Sequence, residues 1–270
     1  MKLPQILVSL IAIPVAVRAA DARLAGCETS WRQLYTASDS GDGAHDYGAL
    51  LHEWSTFEPK CKGTGAYEFR LASLYTAVGQ PKLAIDLLSN TEGWPPNYVR
   101  LATLARLRAE LVLYSSEIPP AMDKMLKLRP QYVEAIADYP DAVAYDQASN
   151  YMLMIDDNRT AISYAEKSLQ ILSDQWDPNR TLTIAHFRQG EYGEAVFAGR
   201  RAQELKNSLV KEPEFMYSVA KSFAGVGNIA VAQKTLAILL QEVPNEHGSK
   251  GWQDAVEFIK AQIRAGNNKN

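Results

Sequence analysis

Apolar residues recur at helical spacing through almost the whole chain. Trp31, Leu34 and Tyr35 fall on one stripe, and Tyr47, Leu50, Leu51, Trp54 and Phe57 on another. Intervals of i, i+3, i+4 and i+7 predict amphipathic helices with one face against a core. The spacing therefore predicts two helices between Ser30 and Pro59. Between them Asp39-Ser40-Gly41-Asp42-Gly43 has turn chemistry, with Asp42 placed to cap the second helix, and Lys60–Gly65 reads as a further loop. Near the other end Ala255, Val256, Ile259 and Ile263 predict a capping helix over Trp252–Arg264, followed by a frayed tail from Gly266 to Asn270. No convincing strand pattern occurs.

Between these ends the pattern repeats. Ala84, Ala121, Ala161, Ala195 and Ala232 each open an amphipathic run after a short turn, at steps of 37, 40, 34 and 37 residues. Three of them follow a glycine turn directly, at Gly79, Gly190 and Gly227. A helix–turn–helix unit of about 34 residues, repeated, is the signature of a solenoid whose units bury their apolar faces against one another. The predicted fold class is all-α: antiparallel helix-turn-helix repeats stacked into a right-handed α-solenoid.

Leu71-Ala72, Tyr75, Gly79, Ala84 and Pro96 resemble the tetratricopeptide repeat (TPR), with a small pair, an aromatic, a turn glycine, a second-helix alanine and a closing proline at these intervals. Small residues such as Ala72 and Ala84 are needed where two helices approach closely. The template fits again at Tyr145-Ala148-Ser149-Met152-Ala161-Ser168, in diluted form. It fits better at Leu182-Thr183-His186-Gly190-Ala195-Ala202, where Asp177 reads as N-cap and Pro178 as the first helical residue. It is nearly complete at Met216-Val219-Ala220-Phe223-Gly227-Ala232-Leu239-Pro244. The segment Tyr98–Pro130 departs most, because Pro119-Pro120 replaces the glycine turn and the helix from Ala121 to Leu128 is short. The organisation expected is a signal peptide over 1–19, an N-terminal hairpin or cap over 20–65, TPR-like repeats over 66–250 and a capping helix and tail over 251–270.

The start of the chain changes the setting. Lys2 precedes an apolar stretch from Leu3 to Val17, and Val17-Arg18-Ala19 places small residues before a cleavage point after Ala19. This has the form of a secretory signal peptide and implies export, with the periplasm of a Gram-negative bacterium as the expected compartment. The run is too short for a comfortable membrane span, and none is predicted later. Export bears on the two cysteines, Cys27 and Cys61. In an oxidising compartment an even count favours a disulfide. Leu24-Ala25-Gly26-Cys27 also looks like a lipobox that would lipidate Cys27, although Arg18, Asp21 and Arg23 separate it from the apolar core.

Composition excludes little else. The net charge is −3 with both signs interspersed, and without a basic patch nucleic acid is not an expected partner. No HExxH, paired-Cys metal spacing or GxSxG occurs, and no cofactor or metal is expected. His45 and His52 lie seven apart and would share a helix face, but a packed imidazole is the plainer account for His186. Asp42-Gly43-Ala44-His45-Asp46 gathers oxygen ligands, yet Tyr47 stands where a calcium loop requires glycine. Asn158-Arg159-Thr160 and Asn179-Arg180-Thr181 match the glycosylation sequon.

The resemblance implies a binding module. In tetratricopeptide proteins the first helices of successive repeats line a concave ligand face, which here would carry Phe69, Arg70 and Ser73; Asp146, Asn150 and Met154; Arg180, Ile184 and Arg188; and Tyr217 and Lys221. Arg70, Arg180, Arg188 and Lys221 suit a peptide carboxylate or acidic segment. Arg180 and Arg188 lie two turns apart, so that they would grip one ligand together. The expectation is a non-catalytic protein- or peptide-binding scaffold of the cell envelope. The alternatives are an immunity protein that neutralises a periplasmic toxin and, in another class, a helical glycan-acting enzyme, for which Glu53, Glu68 and Glu110 are available without an implied pairing.

Overall fold

The computed structural model of the protein describes residues 6–38 and 45–267, with backbone alone for 6–20 and 266–267. The described residues form helices without a β-strand. They divide into two compact units with the boundary between Leu128 and Arg129, which falls inside the stretch predicted as one run of repeats.

The first unit contains α1 (Ile6–Ala37), α2 (Tyr47–Ser55), α3 (Glu58–Cys61), α4 (Ala66–Ala77), α5 (Pro81–Leu87), α6 (Pro96–Ser115) and α7 (Met122–Leu126). Helix α1 continues through the expected cleavage point and past Ser30, where the sequence placed its start. Its inner stripe packs Trp31 and Leu34 onto a core of Leu50, Trp54, Tyr67, Leu71 and Leu74. Cys27 and Cys61 are joined by a disulfide across a separation of 34 residues, which ties α1 to α3. Helix α2 is capped by Asp46, whose carboxylate accepts from the Ala49 amide at 3.0 Å. The expected cap Asp42 and its loop lie outside the described residues. His45 precedes α2, shares a 2.8 Å hydrogen bond with Ser38 and stacks on Tyr35, so it does not share a helix face with His52.

Helices α4 and α5 form the predicted hairpin, with Ala72 and Ala84 fully buried at their contact. Pro96 does not close this hairpin. It is the first residue of α6, where its fixed φ suits a helix start and its missing N–H is not needed. Helix α7 has only five residues and follows a cis Ile118–Pro119 bond.

The second unit opens with α8 (Arg129–Asp138), a helix that the repeat template did not foresee. Three hairpins follow: α9 (Ala142–Met154) with α10 (Asn158–Ile171), α11 (Trp176–Gln189) with α12 (Tyr192–Leu205), and α13 (Pro213–Gly225) with α14 (Ile229–Glu242). Helix α15 (Lys250–Asn267) completes the series against α13 and α14. Ala161, Ala195 and Ala232 are fully buried at the hairpin contacts, as the alanine spacing requires. The start of α11 differs from expectation by two residues. Gln175 is the cap position and makes no side-chain cap bond, while Asp177 and Pro178 lie within the first turn.

The turns show why the spacing repeats. Gly79, Gly190 and Gly227 have φ between 77° and 84°, a left-handed conformation that glycine adopts without strain. The following amide in each case closes back onto the helix: Gln80 to Tyr75, Glu191 to His186 and Asn228 to Phe223, at 2.7–2.9 Å. The α9–α10 turn repeats this geometry with another residue. Asp156 has φ 63°, and the Asp157 amide donates to the Met152 carbonyl at 2.9 Å. The diluted repeat is therefore complete in backbone although not in sequence.

Candidate functional site

In the second unit α9, α11, α13 and α15 lie side by side, each touching the next. This is the face on which the repeat template places a ligand. Asn150 on α9 is half-buried, accepting from the Thr181 hydroxyl at 3.2 Å and donating to the Asp146 carbonyl at 3.4 Å. On α11, Arg180 donates from Nε to Glu212 at 2.6 Å. Burial works against its charge and Glu212 with its hydrogen bond outweighs that, so the guanidinium is held above its usual range.

Arg188 is still more committed. It donates to the Leu153 carbonyl at 2.9 Å and to Glu214 at 2.8 Å, and Asp156 lies 3.3 Å away. One side chain thus joins α9, its turn, α11 and α13. Both arginines are already paired within the chain, so they do not stand free to grip one ligand together, and removing either leaves a carboxylate without its partner.

Two further residues are interior. Ile184 is 1 % exposed. Tyr217 is 8 % exposed, and its hydroxyl donates to Glu246 at 2.6 Å with Ser249 at 3.1 Å. Burial and the Glu246 bond push its pKa to about 12. Its ring lies so close to Gly251 that a Cβ there would come within 2.5 Å, which explains the glycine at the start of α15.

Lys221 is the exception. Among the described residues it has no hydrogen bond or ion pair. Its Nζ lies 5.4 Å from the Phe187 ring centroid, and Phe187 in turn meets Phe258 and Tyr192. Burial lowers its pKa, opposed by Asp254. A half-buried ammonium on an aromatic floor retains its donors for a partner.

Phe69 and Arg70 sit on α4 in the first unit. Phe69 packs on Tyr98 at 6.1 Å. The Arg70 Cζ lies 5.0 Å from the Phe69 ring centroid and 5.2 Å from that of Trp31 on α1. A pocket of about 300 Å³ opens beside it, lined by Glu28, Trp31, Arg32, Tyr35, Thr36 and Arg70. The α1 side of this pocket was missed from sequence, because Trp31 and Tyr35 read as one apolar stripe.

One of the carboxylates singled out for an enzyme is occupied within the fold. Glu68 is buried and accepts from the Gly63 and Gly65 amides, closing the start of α4. His186 is held by Glu191 across the α11–α12 turn at 2.6 Å, an arrangement that fixes the turn. Asn179 is 5 % exposed and donates to the Gln175 carbonyl, so its sequon is closed to modification in the folded chain.

No protein-family model and no curated protein matches the chain. Solved structures do. The chain is similar to TTC0263, a thermophilic TPR protein of Thermus thermophilus, at 16 % identity and a TM-score of 0.46, over 74 % of this chain and 99 % of that one. It is similar to YrrB, described as a TPR protein with an unusual peptide-binding site, at 12 % identity and 0.45, over 76 % and 97 %. It is also similar to the TPR domain of P58(IPK) at 12 % identity and 0.38, over 98 % and 71 %. At TM-scores below 0.5 these likenesses carry no role or fold to this chain. The chain is TPR-like in fold, and its own hairpins carry that statement.

Proposed function

We propose that the chain is a protein- or peptide-binding scaffold rather than an enzyme, exported to the cell envelope after cleavage near Ala19, with the ligand held on the α9–α11–α13–α15 face. One observation carries the reading. On a face where Arg180 and Arg188 are spent on internal pairs, Lys221 has no hydrogen bond or ion pair among the described residues and sits over the Phe187 ring, which is backed by Phe258. Such a group costs solvation when left idle and gains a charge-assisted hydrogen bond when an acceptor arrives. The ligand segment that suits it presents a carboxylate or carbonyl to Lys221 and an apolar side chain to the rings. Asn150 and Arg188 flank the same face as polar contacts, while Tyr217 acts from beneath by fixing the start of α15.

The test is calorimetry on a partner recovered from envelope extract with the mature chain as bait. Lys221→Gln keeps the length and loses the charge, and among the described residues Lys221 has no hydrogen bond or ion pair to disrupt. It should weaken binding at least tenfold, on the order of 1.4 kcal/mol, with an unchanged helical signal. Undiminished affinity would move the ligand off this face. Terminal sequencing of the exported chain tests the setting separately, with Ala20 expected first.

A further inference from the structure

The first unit holds a second candidate site, built differently. Arg70 projects from α4 between two rings, Trp31 at 5.2 Å and Phe69 at 5.0 Å. With rings on two sides, Arg70 is also one of the residues that line the pocket of about 300 Å³. Among the described residues Arg70 makes no hydrogen bond or ion pair. Glu28 acts on it through space but spends a carboxylate oxygen on the Tyr98 hydroxyl. The far wall is α1, which brings Arg32, Tyr35 and Thr36. That wall is braced. Trp31 meets Trp54 edge-on at 5.1 Å, and the Cys27–Cys61 bridge ties down the helix one turn before it.

We infer that this pocket binds a carboxylate carried on an aromatic or apolar group, with Arg70 chelating the two oxygens and Trp31 and Tyr35 receiving the body. The chemistry selects that class on three grounds. A guanidinium with open donors suits a planar two-oxygen acceptor better than a single carbonyl. Two arginines against one glutamate leave the pocket with a net single positive charge, which suits a monoanion rather than a dianionic phosphate. The volume lies at the small end of ligand pockets, enough for one ring and its carboxylate. The site shares no residue with the face around Lys221, so either reading survives the failure of the other.

The experiment is calorimetric titration of the intact, disulfide-bonded chain with phenylacetate, with phenylacetamide, and with a tetrapeptide ending in phenylalanine with a free carboxylate. Phenylacetate should bind saturably and the amide at least tenfold more weakly. Arg70→Gln should remove the difference between acid and amide, and Arg70→Lys should restore only part of it. Lys221→Gln should leave it untouched. Tighter binding of the peptide than of phenylacetate identifies a chain terminus as the source, and equal binding identifies a free acid; both support the site. Should the Arg70 variants fail to fold, Glu28→Gln decides, since it keeps an acceptor for Tyr98 and removes the competing charge. It should tighten phenylacetate at least twofold, and no gain would count against the site. Equal binding of acid and amide, no saturable binding of either acid, or undiminished affinity in a folded Arg70→Gln chain overturns the inference.

Discussion

The two units reach order by different routes. The second is regular: three hairpins of near-equal helices with buried alanines at 161, 195 and 232 and left-handed turns of one geometry. Its last hairpin and α15 share a core of Phe215, Met216, Leu236, Leu239 and Ile259, and Ala165, Leu182 and Ala198 form another between the hairpins before it. The first is irregular. It pairs a 12-residue α4 with a seven-residue α5, then a 20-residue α6 with a five-residue α7. Short second helices bury little, and the unit supplements them with a disulfide and an aromatic cluster of Trp31, Trp54, Phe57 and Tyr67. Repetition supplies stability through neighbours, and where repetition fails a covalent tie and large side chains take its place.

The largest expected effect tests that contrast. Replacing Cys27 and Cys61 by alanine frees a loop of 34 residues and should cost about 3–4 kcal/mol on the chain-entropy estimate. The loss should be confined to the first unit. Hydrogen exchange should show protection falling in α1–α4 and holding in α9–α14. Equal loss in both would mean that the units do not differ in what holds them.

Next come changes that only the regular unit should resent. Gly225→Ala would ordinarily gain about 1 kcal/mol in a helix. Here the new Cβ would lie 2.3 Å from the Tyr192 ring, which Phe187 and Phe258 hold from other sides. Overpacking of about 1–3 kcal/mol should therefore reverse the sign. Ala232→Phe, at a fully buried hairpin contact, should cost at least as much and carry to α11 and α12. A melting temperature unchanged in both would break the account of the unit.

The same contrast decided what could be read from the sequence. Where the repeat is regular, glycine at the turn and alanine five residues on are local signals, and they placed α4–α5, α11–α12 and α13–α14. Proline misled, because it stands equally well after a helix and at its first turn. Pro96 has the pattern of an ending yet opens α6, and Arg129-Pro130 conceals α8, whose buried residues Tyr132 and Ile136 span little more than a turn. Which helices lie side by side on the candidate face was legible, but Ile184 and Tyr217, expected on its open side, are buried. The pairing of Arg180 with Glu212, and of Arg188 with Glu214, was not legible, because such partners are 32 and 26 residues away and only the packing of α11 on α13 brings them together. Arg70 was found for its charge, whereas its pocket required α1, which belongs to no repeat.

A smaller effect, shared by both units, depends on pH. Tyr67 in the first, and Tyr151 and Tyr217 in the second, are pushed to about 12 by burial. A folded pKa above the usual 10.0 means that the fold favours the protonated phenol. The associated stability is complete below about pH 10 and lost as pH climbs towards 12. Lys221 runs the other way, since burial lowers its pKa and the second unit gains as pH rises towards 10.5. Denaturant midpoints should thus fall above about pH 10, with Tyr217→Phe flattening the fall in the second unit. A midpoint independent of pH in that range would refute the assignment.

The smallest expected effect concerns the one turn in the regular unit that departs from glycine. Asp156 takes φ 63° where Gly79, Gly190 and Gly227 stand in their turns. Left-handed backbone costs an L-residue about 1–2 kcal/mol, somewhat less for Asp, whose short side chain bonds locally; here it accepts from Asn158 at 2.9 Å. Asp156→Gly removes that strain and also removes the 3.3 Å contact with Arg188. The contact is largely exposed, and pairs of that kind contribute about 0–1 kcal/mol. Arg188 keeps its bonds to Leu153 and Glu214, so it is not left unpaired. Relief should outweigh loss by a few tenths of a kcal/mol to about 1 kcal/mol, less what glycine forfeits to the flexibility of the unfolded chain. The denaturation midpoint should rise slightly, and more at high salt, where the lost ion pair counts for less. A fall at every salt concentration would show that the carboxylate of Asp156 holds Arg188 in place, and that this turn keeps its aspartate for the charge network across α9, α11 and α13.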